Sequence, residues 1–253
     1  MTGGYGLADV EYSSIIRNNT ENGNTYSRFE SPTGAGKSHH PRDRTSYASV
    51  RDWLKGRTPG CWALDLISAR TRNKVVSFTG AHPHSSVLDV ATGTGKQAFA
   101  YSRKGHEVVG IDFSPPMLSI AKEKNCHANV RFDIADAANM PFADGYFDVS
   151  CISFALHEMP ITIREQVVSE MARVTKHNGA IVIADFSLSE AGLFRHILSH
   201  CVTVCCNSKY YTEFIQSALD SLFTGTEIEM TGSAKILGGI GMVLRGVNRR
   251  DVA

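Results

Sequence analysis

The feature that most constrains this chain is a glycine-rich corner at residues 86–96. It begins with the apolar run 87–90, which is typical of a parallel strand buried on both faces. The run breaks at the Thr-Gly-Thr-Gly of 92–95, and a helix-compatible segment follows as far as Gly105. Glycines permit a tight turn and close ligand approach, and a helix start offers unpaired N–H groups to an anion. The corner therefore predicts a strand–turn–helix unit that binds a nucleotide.

Two classes of cofactor use such a corner. The pattern G-x-G-x-x-A that begins at Gly93 satisfies the dinucleotide fingerprint, and Asp112 follows at the distance expected of a ribose-binding acid. The pattern D-x-A-x-G-x-G that begins at Asp89 equally fits the loop that binds S-adenosylmethionine (SAM), again with Asp112 on the ribose. The glycine loop by itself leaves both interpretations open.

The composition of the 253 residues suits one α/β domain with appendages, because 42% hydrophobic residues can form a large core. A net charge of +1 indicates no strong attraction to polyanions, and we expect no nucleic-acid partner. No apolar run approaches roughly 18 residues and no signal-peptide core is evident, so we expect no membrane span. The six cysteines lie in apolar segments and predict reduced thiols in a cytoplasmic protein.

The hydrophobic pattern predicts seven strands. Five alternate with helices, at 87–90, 107–112, 130–134, 147–154 and 180–186. This alternation indicates a parallel sheet with right-handed crossovers. The last two strands, at 227–230 and 240–247, are separated by nine residues, which are too few for a crossover helix, and should pair antiparallel. The predicted fold class is therefore α/β, with a doubly wound seven-stranded sheet.

Helices are predicted at 47–56, 61–78, 115–124, 162–176, 191–206 and 210–222. The first two would cap the ligand end of the sheet, and the last two would form a helical insertion at about 187–222. Residues 1–46 are polar, and we expect them to be flexible or to close over a ligand as a lid. Their segment 34–38 resembles the end of a P-loop but lacks its first glycine and a preceding strand, which favours a flexible loop. The main domain therefore spans 47–253.

The order of these motifs resembles the class I SAM-dependent methyltransferases across roughly residues 80–190. The matching segments are 87–95, 109–118, 136–142, 146–148 and 174–179. Within that family the chain looks most like small-molecule enzymes, including the ubiquinone/menaquinone C-methyltransferases, with Ala91 in place of the first glycine. The resemblance implies a Rossmann-like methyltransferase fold with an N-terminal helical cap, SAM as cofactor and S-adenosyl-L-homocysteine as product. It favours SAM over a nicotinamide cofactor.

The resemblance also implies a set of cofactor-binding residues: Asp89, Ala91, Thr92, Gly93, Gly95, Asp112, Phe113, Met117, Asp136, Ala137 and Phe154. Asp89 would accept from the SAM ammonium directly or through water, and Asp112 would accept from both ribose hydroxyls. Phe113 and Met117 would flank the adenine, and Asp136 would accept from its amino group.

On the acceptor side, His157 follows the fourth strand at its carboxyl end, beside the wall that Phe154 would form around the reactive methyl group. Methyl transfer from a sulfonium is a one-step displacement, and a base assists when the acceptor is a hydroxyl or an acidic carbon. We hypothesise that His157 is catalytic, with Glu158 and Asp185 as substrate-binding groups and Tyr47 as a lid contact. The alternative is that His157 is a hydrogen-bonded structural residue.

Histidines and cysteines at helical spacing mark residues 196–206: His196, His200, Cys201, Cys205 and Cys206. Such pairs can present two metal ligands, but their apolar neighbours favour packing, and we expect no metal. The functional hypothesis is methyl transfer from SAM to a small molecule. Its alternatives are a quinone or phospholipid methyltransferase and a non-catalytic SAM-binding partner subunit, and a homodimer is compatible with the sequence.

Overall fold

The computed structural model describes residues 60–187, 210–216 and 219–251. Several predictions lie outside these ranges, namely the polar segment 1–46, the helix at 47–56 with Tyr47, and the histidine- and cysteine-bearing helix at 191–206. The part of the chain that is described contains the whole predicted sheet.

The sheet has seven strands in the order β3-β2-β1-β4-β5-β7-β6. They are β1 (Ser86–Val90), β2 (Glu107–Asp112), β3 (Val130–Ile134), β4 (Phe147–Ser153), β5 (Thr175–Phe186), β6 (Ile228–Ile236) and β7 (Gly241–Asn248). The first five pair in parallel, whereas β7 runs antiparallel to both β5 and β6. The predicted α/β fold class, with five parallel strands and a C-terminal antiparallel pair, is confirmed.

The helices cover both faces of the sheet. They are α1 (Gly60–Phe78), α2 (Lys96–Ser102), α3 (Pro115–Lys124), α4 (Ile161–Val174) and α5 (Tyr211–Gln216). Side chains alternate along β1, so that Val87 packs with α1, α2 and α3 while Leu88 packs with α4. This arrangement is the doubly wound one that the sequence predicts. None of the described helices has both the length and the apolar character of a membrane span.

Two of the predicted helices have wrong boundaries. The one predicted at 162–176 ends at Val174, because Thr175 begins β5 and its hydroxyl donates to the Met171 carbonyl oxygen at 2.6 Å. The described part of the one predicted at 210–222 is α5 followed by a 3₁₀ turn at Leu219–Phe223. Phe214 and Phe223 both enter the core, and a continuous α-helix would point residues nine apart in opposite directions.

The first of the two closing strands is longer than predicted, whereas the second is shifted by one residue. β6 continues through Thr231 and Gly232 to Ile236, and only a short 3₁₀ turn at Leu237–Gly239 separates it from β7. Most of β6 is solvent-exposed, since it forms an edge of the sheet, and its polar residues therefore resemble a loop in the sequence. The predicted antiparallel pairing holds, with Ile236 opposite Gly241 at the turn.

Candidate functional site

The carboxyl ends of β1, β2 and β4 meet at one edge of the sheet, where the strand order reverses between β1 and β4. Ligands of open α/β sheets bind in the crevice outside such a reversal. The chain segments that leave these strands are the glycine loop after β1, the turn after Asp112 and the turn around His157. The residues that the sequence predicts for cofactor and acceptor therefore come from adjacent strand ends.

Asp112 joins two of these segments through its carboxylate. Its Oδ2 accepts from the Gly93 N–H at 2.8 Å, and its Oδ1 accepts from the Ser114 N–H at 2.9 Å. Burial raises the pKa of Asp112 above its ordinary value, and these backbone N–H groups act in the opposite direction. Because each carboxylate oxygen can accept more than one hydrogen bond, Asp112 retains acceptor capacity for ligand hydroxyls.

The two glycines of the loop have different reasons to be glycine. Gly95 has a φ of +77°, and a Cβ there would lie 2.6 Å from the Phe132 ring, so β3 packs directly against this glycine. Gly93 has a φ of +55°, but no atom lies within 4 Å of the position its Cβ would take. Gly95 therefore serves the packing of the sheet, whereas Gly93 leaves open space for a ligand. Ala91 has a φ of +52°, which is unusual for a residue with a side chain.

Asp89 lies beneath the loop, since only 1% of its surface is exposed. Its Oδ2 accepts from the Thr92 hydroxyl at 2.5 Å, so both predicted cofactor residues are engaged with each other. Burial raises the pKa of Asp89 to about 7, while the Thr92 hydroxyl and the Ala98 N–H lower it and the charge of Asp112 raises it further. Asp112 is half-buried and is therefore the more accessible of the two predicted carboxylates.

The predicted adenine contacts come from the turns after β2 and β3. Phe113 is 53% exposed and presents a flat apolar ring, and Met117 lies half-buried in the first turn of α3. Asp136 Oδ1 accepts from the Ala138 N–H at 2.9 Å within the tight turn that also contains the half-buried Ala137. An open glycine, an exposed ring and a carboxylate with spare acceptor capacity are groups that fit an adenosine.

On the acceptor side, His157 and Asp185 form a buried pair. His157 lies in a 3₁₀ turn, Leu156–Glu158, and Asp185 lies near the carboxyl end of β5. Their side chains meet with Nδ1 and Oδ1 2.8 Å apart, and the His157 backbone N–H donates to Asp185 Oδ2 at 3.3 Å. His157 is 3% exposed and Asp185 is fully buried. Two predicted site residues that are 28 positions apart are thereby brought into direct contact.

Aromatic rings surround this pair. The centroid of the His157 ring lies 4.9 Å from that of Phe186 and 6.2 Å from that of Phe214 in α5. Phe154 packs on Phe186 at 5.3 Å and has a φ of +54°, which lies in the left-handed region. The predicted wall residue Phe154, directly after β4, thus belongs to an aromatic cluster with Phe186 of β5 and Phe214 of α5.

Glu158 connects the cofactor and acceptor sides electrostatically. Its Oε1 lies 3.9 Å from His157 Nε2, and its side chain is 53% exposed. Burial is the largest cause that raises the pKa of Glu158, the charge of His157 lowers it, and the charges of Asp185 and Asp112 raise it. Within residues 60–187, 210–216 and 219–251 these groups do not form a metal-binding cluster of three or more ligands.

One residue at the site was missed by sequence reasoning. Arg164, in the first turn of α4, is 1% exposed and donates from Nε to the Leu156 carbonyl oxygen at 3.1 Å. The signal was available, because Arg164 shares the buried helical stripe of Val167, Val168 and Met171. An arginine within an apolar stripe must have buried partners.

Both the sequence and the fold of this chain resemble those of known proteins. A family profile described as a methyltransferase domain matches residues 87–179. The demethylmenaquinone methyltransferase of Renibacterium salmoninarum is 37% identical over 153 residues, which cover 60% of this chain and 57% of that protein. The ubiquinone/menaquinone biosynthesis C-methyltransferase UbiE of Stutzerimonas stutzeri is 36% identical over 126 residues, covering 47% of this chain and 48% of that protein. The chain thus spans about half the length of these curated relatives.

The fold agrees with the sequence matches. A solved SAM-dependent methyltransferase from Aquifex aeolicus superposes with a TM-score of 0.53 at 20% identity, covering 70% of this chain and 89% of that one. The profile match ends within β5, so the antiparallel strand β7 lies outside it and is evidence independent of the profile. An all-parallel dinucleotide-binding sheet lacks such a strand. Sequence and topology together therefore favour one of the two cofactor classes that the glycine loop allowed. Residues 87–179 therefore match a methyltransferase domain, the fold is that of solved SAM-dependent methyltransferases, and the chain is loosely similar to the ubiquinone/menaquinone C-methyltransferases.

Proposed function

We propose that this protein transfers a methyl group from SAM to a small-molecule acceptor. The observation that carries the proposal is the buried His157–Asp185 pair, at the same edge of the sheet as the Gly93–Asp112 crevice. One side of this edge offers groups suited to an adenosine, and the other offers a histidine oriented by a carboxylate. A methyltransferase with a base needs both within the length of one cofactor.

The cofactor side would hold SAM chiefly through Asp112 and the main chain at Gly93. The Asp112 carboxylate accepts hydrogen bonds from the ribose hydroxyls, and the exposed Phe113 ring stacks on the adenine. The turn at Asp136 contacts the polar edge of the adenine. When bound, SAM supplies a methyl group on a positively charged sulfur, which makes the departing thioether a good leaving group. The chain therefore needs mainly to align the two reactants and to exclude water.

On the acceptor side, Asp185 sets the orientation of His157. With the carboxylate accepting from Nδ1–H, the imidazole keeps Nε2 as the nitrogen that can accept a proton. Nε2 would take the proton from the acceptor hydroxyl as the new bond to the methyl carbon forms. The Asp185 carboxylate would stabilise the imidazolium that results. The attraction between the two charges is stronger because Asp185 is buried away from water.

The acceptor would be an aromatic alcohol, and we propose a quinol. Phe154, Phe186 and Phe214 give the environment of His157 an aromatic character that suits a flat ring. The relatives that match the sequence are named for demethylmenaquinone and for ubiquinone/menaquinone biosynthesis. A quinol carries the hydroxyl that His157 could deprotonate, and deprotonation would activate either that oxygen or the adjacent ring carbon. In the second case the proton on that carbon would be lost after methyl transfer, and the oxygen would be protonated again.

The test incubates the purified full chain with methyl-labelled SAM and demethylmenaquinone that carries a short prenyl chain and has been chemically reduced. We expect label in the quinol, and none when the reductant is omitted, because the quinone has no hydroxyl to deprotonate. Calorimetry with SAM alone separates binding from turnover. Tight SAM binding without transfer to this quinol or to any compound of a metabolite extract would instead indicate a non-catalytic SAM-binding subunit.

A further inference from the structure

We propose that Arg164 is a positioning residue that clamps the His157 turn and helix α5 into one unit. The inference rests on the proposed function for its effect on catalysis, but its structural part does not. Arg164 lies one helical turn beyond Pro160, whose carbonyl oxygen accepts from the Arg164 N–H at 3.1 Å. Its side chain is among the largest that are fully buried in the described residues.

The guanidinium reaches two separate stretches of main chain. Nε donates at 3.1 Å to the carbonyl oxygen of Leu156, the residue before His157. Nη2 donates at 3.3 Å to the carbonyl oxygen of Tyr210, the residue before α5. These two carbonyl groups belong to segments about fifty positions apart in the chain. A planar fork of donors can hold two carbonyl groups at a set angle, which a lysine ammonium cannot do.

Two further contacts attach the guanidinium to α5. Nη1 lies 3.6 Å from Glu213 Oε1, and Cζ lies 4.9 Å from the centroid of the Phe214 ring. The Phe214 ring is in turn 6.2 Å from the ring of His157, so a chain of contacts leads from Arg164 to the imidazole. A cation over an aromatic face and within reach of a carboxylate offsets part of the cost of burying its charge.

Burying the charge of Arg164 costs free energy. Burial is the largest influence on the pKa of the guanidinium and lowers it, while the charges of Glu213 and Asp185 raise it. An apolar residue of similar volume would avoid this cost in a helix stripe whose other members are Val167, Val168 and Met171. The buried charge is therefore explained by what it holds in place, the turn that orients His157 and the helix that packs on it.

The experiment compares Arg164→Lys with Arg245→Lys. Arg245 is also a guanidinium that secures main chain, since Nε donates to the Thr79 carbonyl oxygen at 3.0 Å, but it lies on β7 and serves the end of α1. Hydrogen exchange, SAM calorimetry and kinetics with the short-chain quinol are measured for both. Arg164→Lys should accelerate amide exchange at 156–159 and 210–216 alone, whereas Arg245→Lys should affect 79–81.

For Arg164→Lys we expect kcat to fall between about tenfold and about a hundredfold, because small displacements of an oriented base are costly. The dissociation constant of SAM should stay within about twofold, since Asp112 and Gly93 do not contact the clamp. Wild-type kcat in this variant, or the same loss of SAM affinity in both lysine variants, would overturn the positioning role.

A second variant covers the case in which Arg164→Lys does not fold. Phe214→Leu keeps apolar volume but removes the ring between Arg164 and His157, and it should raise exchange at 156–159 and lower kcat severalfold. Unchanged exchange at 156–159 in Phe214→Leu would contradict the clamp. If the wild-type chain transfers no methyl group, the proposed function fails, but the exchange measurements still decide whether Arg164 joins the two segments.

Discussion

The cofactor side and the acceptor side of the crevice are built in different ways. On the cofactor side, the Asp112 carboxylate is held by backbone N–H groups of Gly93 and Ser114, a few residues from the ends of β1 and β2. On the acceptor side, His157 is held by the Asp185 side chain, and its turn is held by the Arg164 side chain. Main-chain donors organise the first half, and side chains distant in sequence organise the second.

This difference determines what substitutions on each side of the crevice should do. A carboxylate held by main-chain donors depends on the path of the backbone, which two glycines and an N-terminal helical turn largely determine. A histidine held by side chains depends on each partner separately and can be altered by one substitution. We therefore expect substitutions on the acceptor side to change turnover, and those on the cofactor side to change folding or SAM affinity.

The largest effect is expected for His157→Gln, which removes the proposed base but keeps a polar side chain. Without a base the turnover of the quinol should fall by a factor of about 10² to 10⁴, while SAM affinity measured by calorimetry stays the same. His177→Gln, at an exposed position of β5, is the matched control and should leave both quantities unchanged. Full kcat in His157→Gln would assign His157 a structural role.

The next largest effect is expected for Gly95→Ala, because its Cβ would lie 2.6 Å from the Phe132 ring. Overpacking and a positive φ together should lower the free energy of unfolding by about 2 to 4 kcal/mol, measured by urea denaturation. Gly105→Ala is the control, since Gly105 has a φ of +82° with no atom within 4 Å of its Cβ position. Equal losses in the two variants would show that φ alone accounts for the cost.

A smaller effect is expected for Asp112→Asn, which removes the charge and half of the acceptor capacity at the crevice. SAM affinity should fall about tenfold to a hundredfold, as for the loss of a charge-assisted hydrogen bond, and the dissociation constant from calorimetry measures this. Asp133→Asn, on the neighbouring strand β3, should bind SAM as the wild type does. Should Asp112→Asn also retain wild-type affinity, the cofactor side would need a different anchor.

The last effect concerns Asp89 and appears only as the pH is raised. Burial raises the pKa of Asp89 from 3.8 to about 7, so the folded protein binds this proton more tightly than the unfolded chain does. The resulting destabilisation is absent below about pH 4, grows as pH rises, and is complete above about pH 7. Asp89→Asn should therefore raise the free energy of unfolding by up to about 4 kcal/mol at pH 8 and not at pH 4. Thermal unfolding at the two pH values measures it, and a gain that is equal at both would contradict it.

Sequence reasoning predicted the five parallel strands and the closing antiparallel pair, because each buried strand is a short apolar run that ends at a turn signal. It was less accurate for β6, because most residues of that strand are exposed and the hydrophobic pattern is weak there. It also missed the break in the helix predicted at 210–222, which lets Phe214 and Phe223 face the same core. Gly93 and Asp112 were predicted together and their backbone link is present in the structure. The burial of Asp89 could not be seen in a local motif.

Local chemistry in the sequence determined the cofactor corner, since a strand, two glycines and a helix start need no distant partner to define a turn. The positions of the strands and helices followed from hydrophobic spacing, because apolar periodicity decides which of their faces are covered, whereas the order of the strands in the sheet came from the structure. Only the tertiary structure decided that His157 meets Asp185 and that Arg164 reaches both Leu156 and Tyr210. Such contacts depend on how separate elements pack in three dimensions, and a pattern read along one segment does not contain that information.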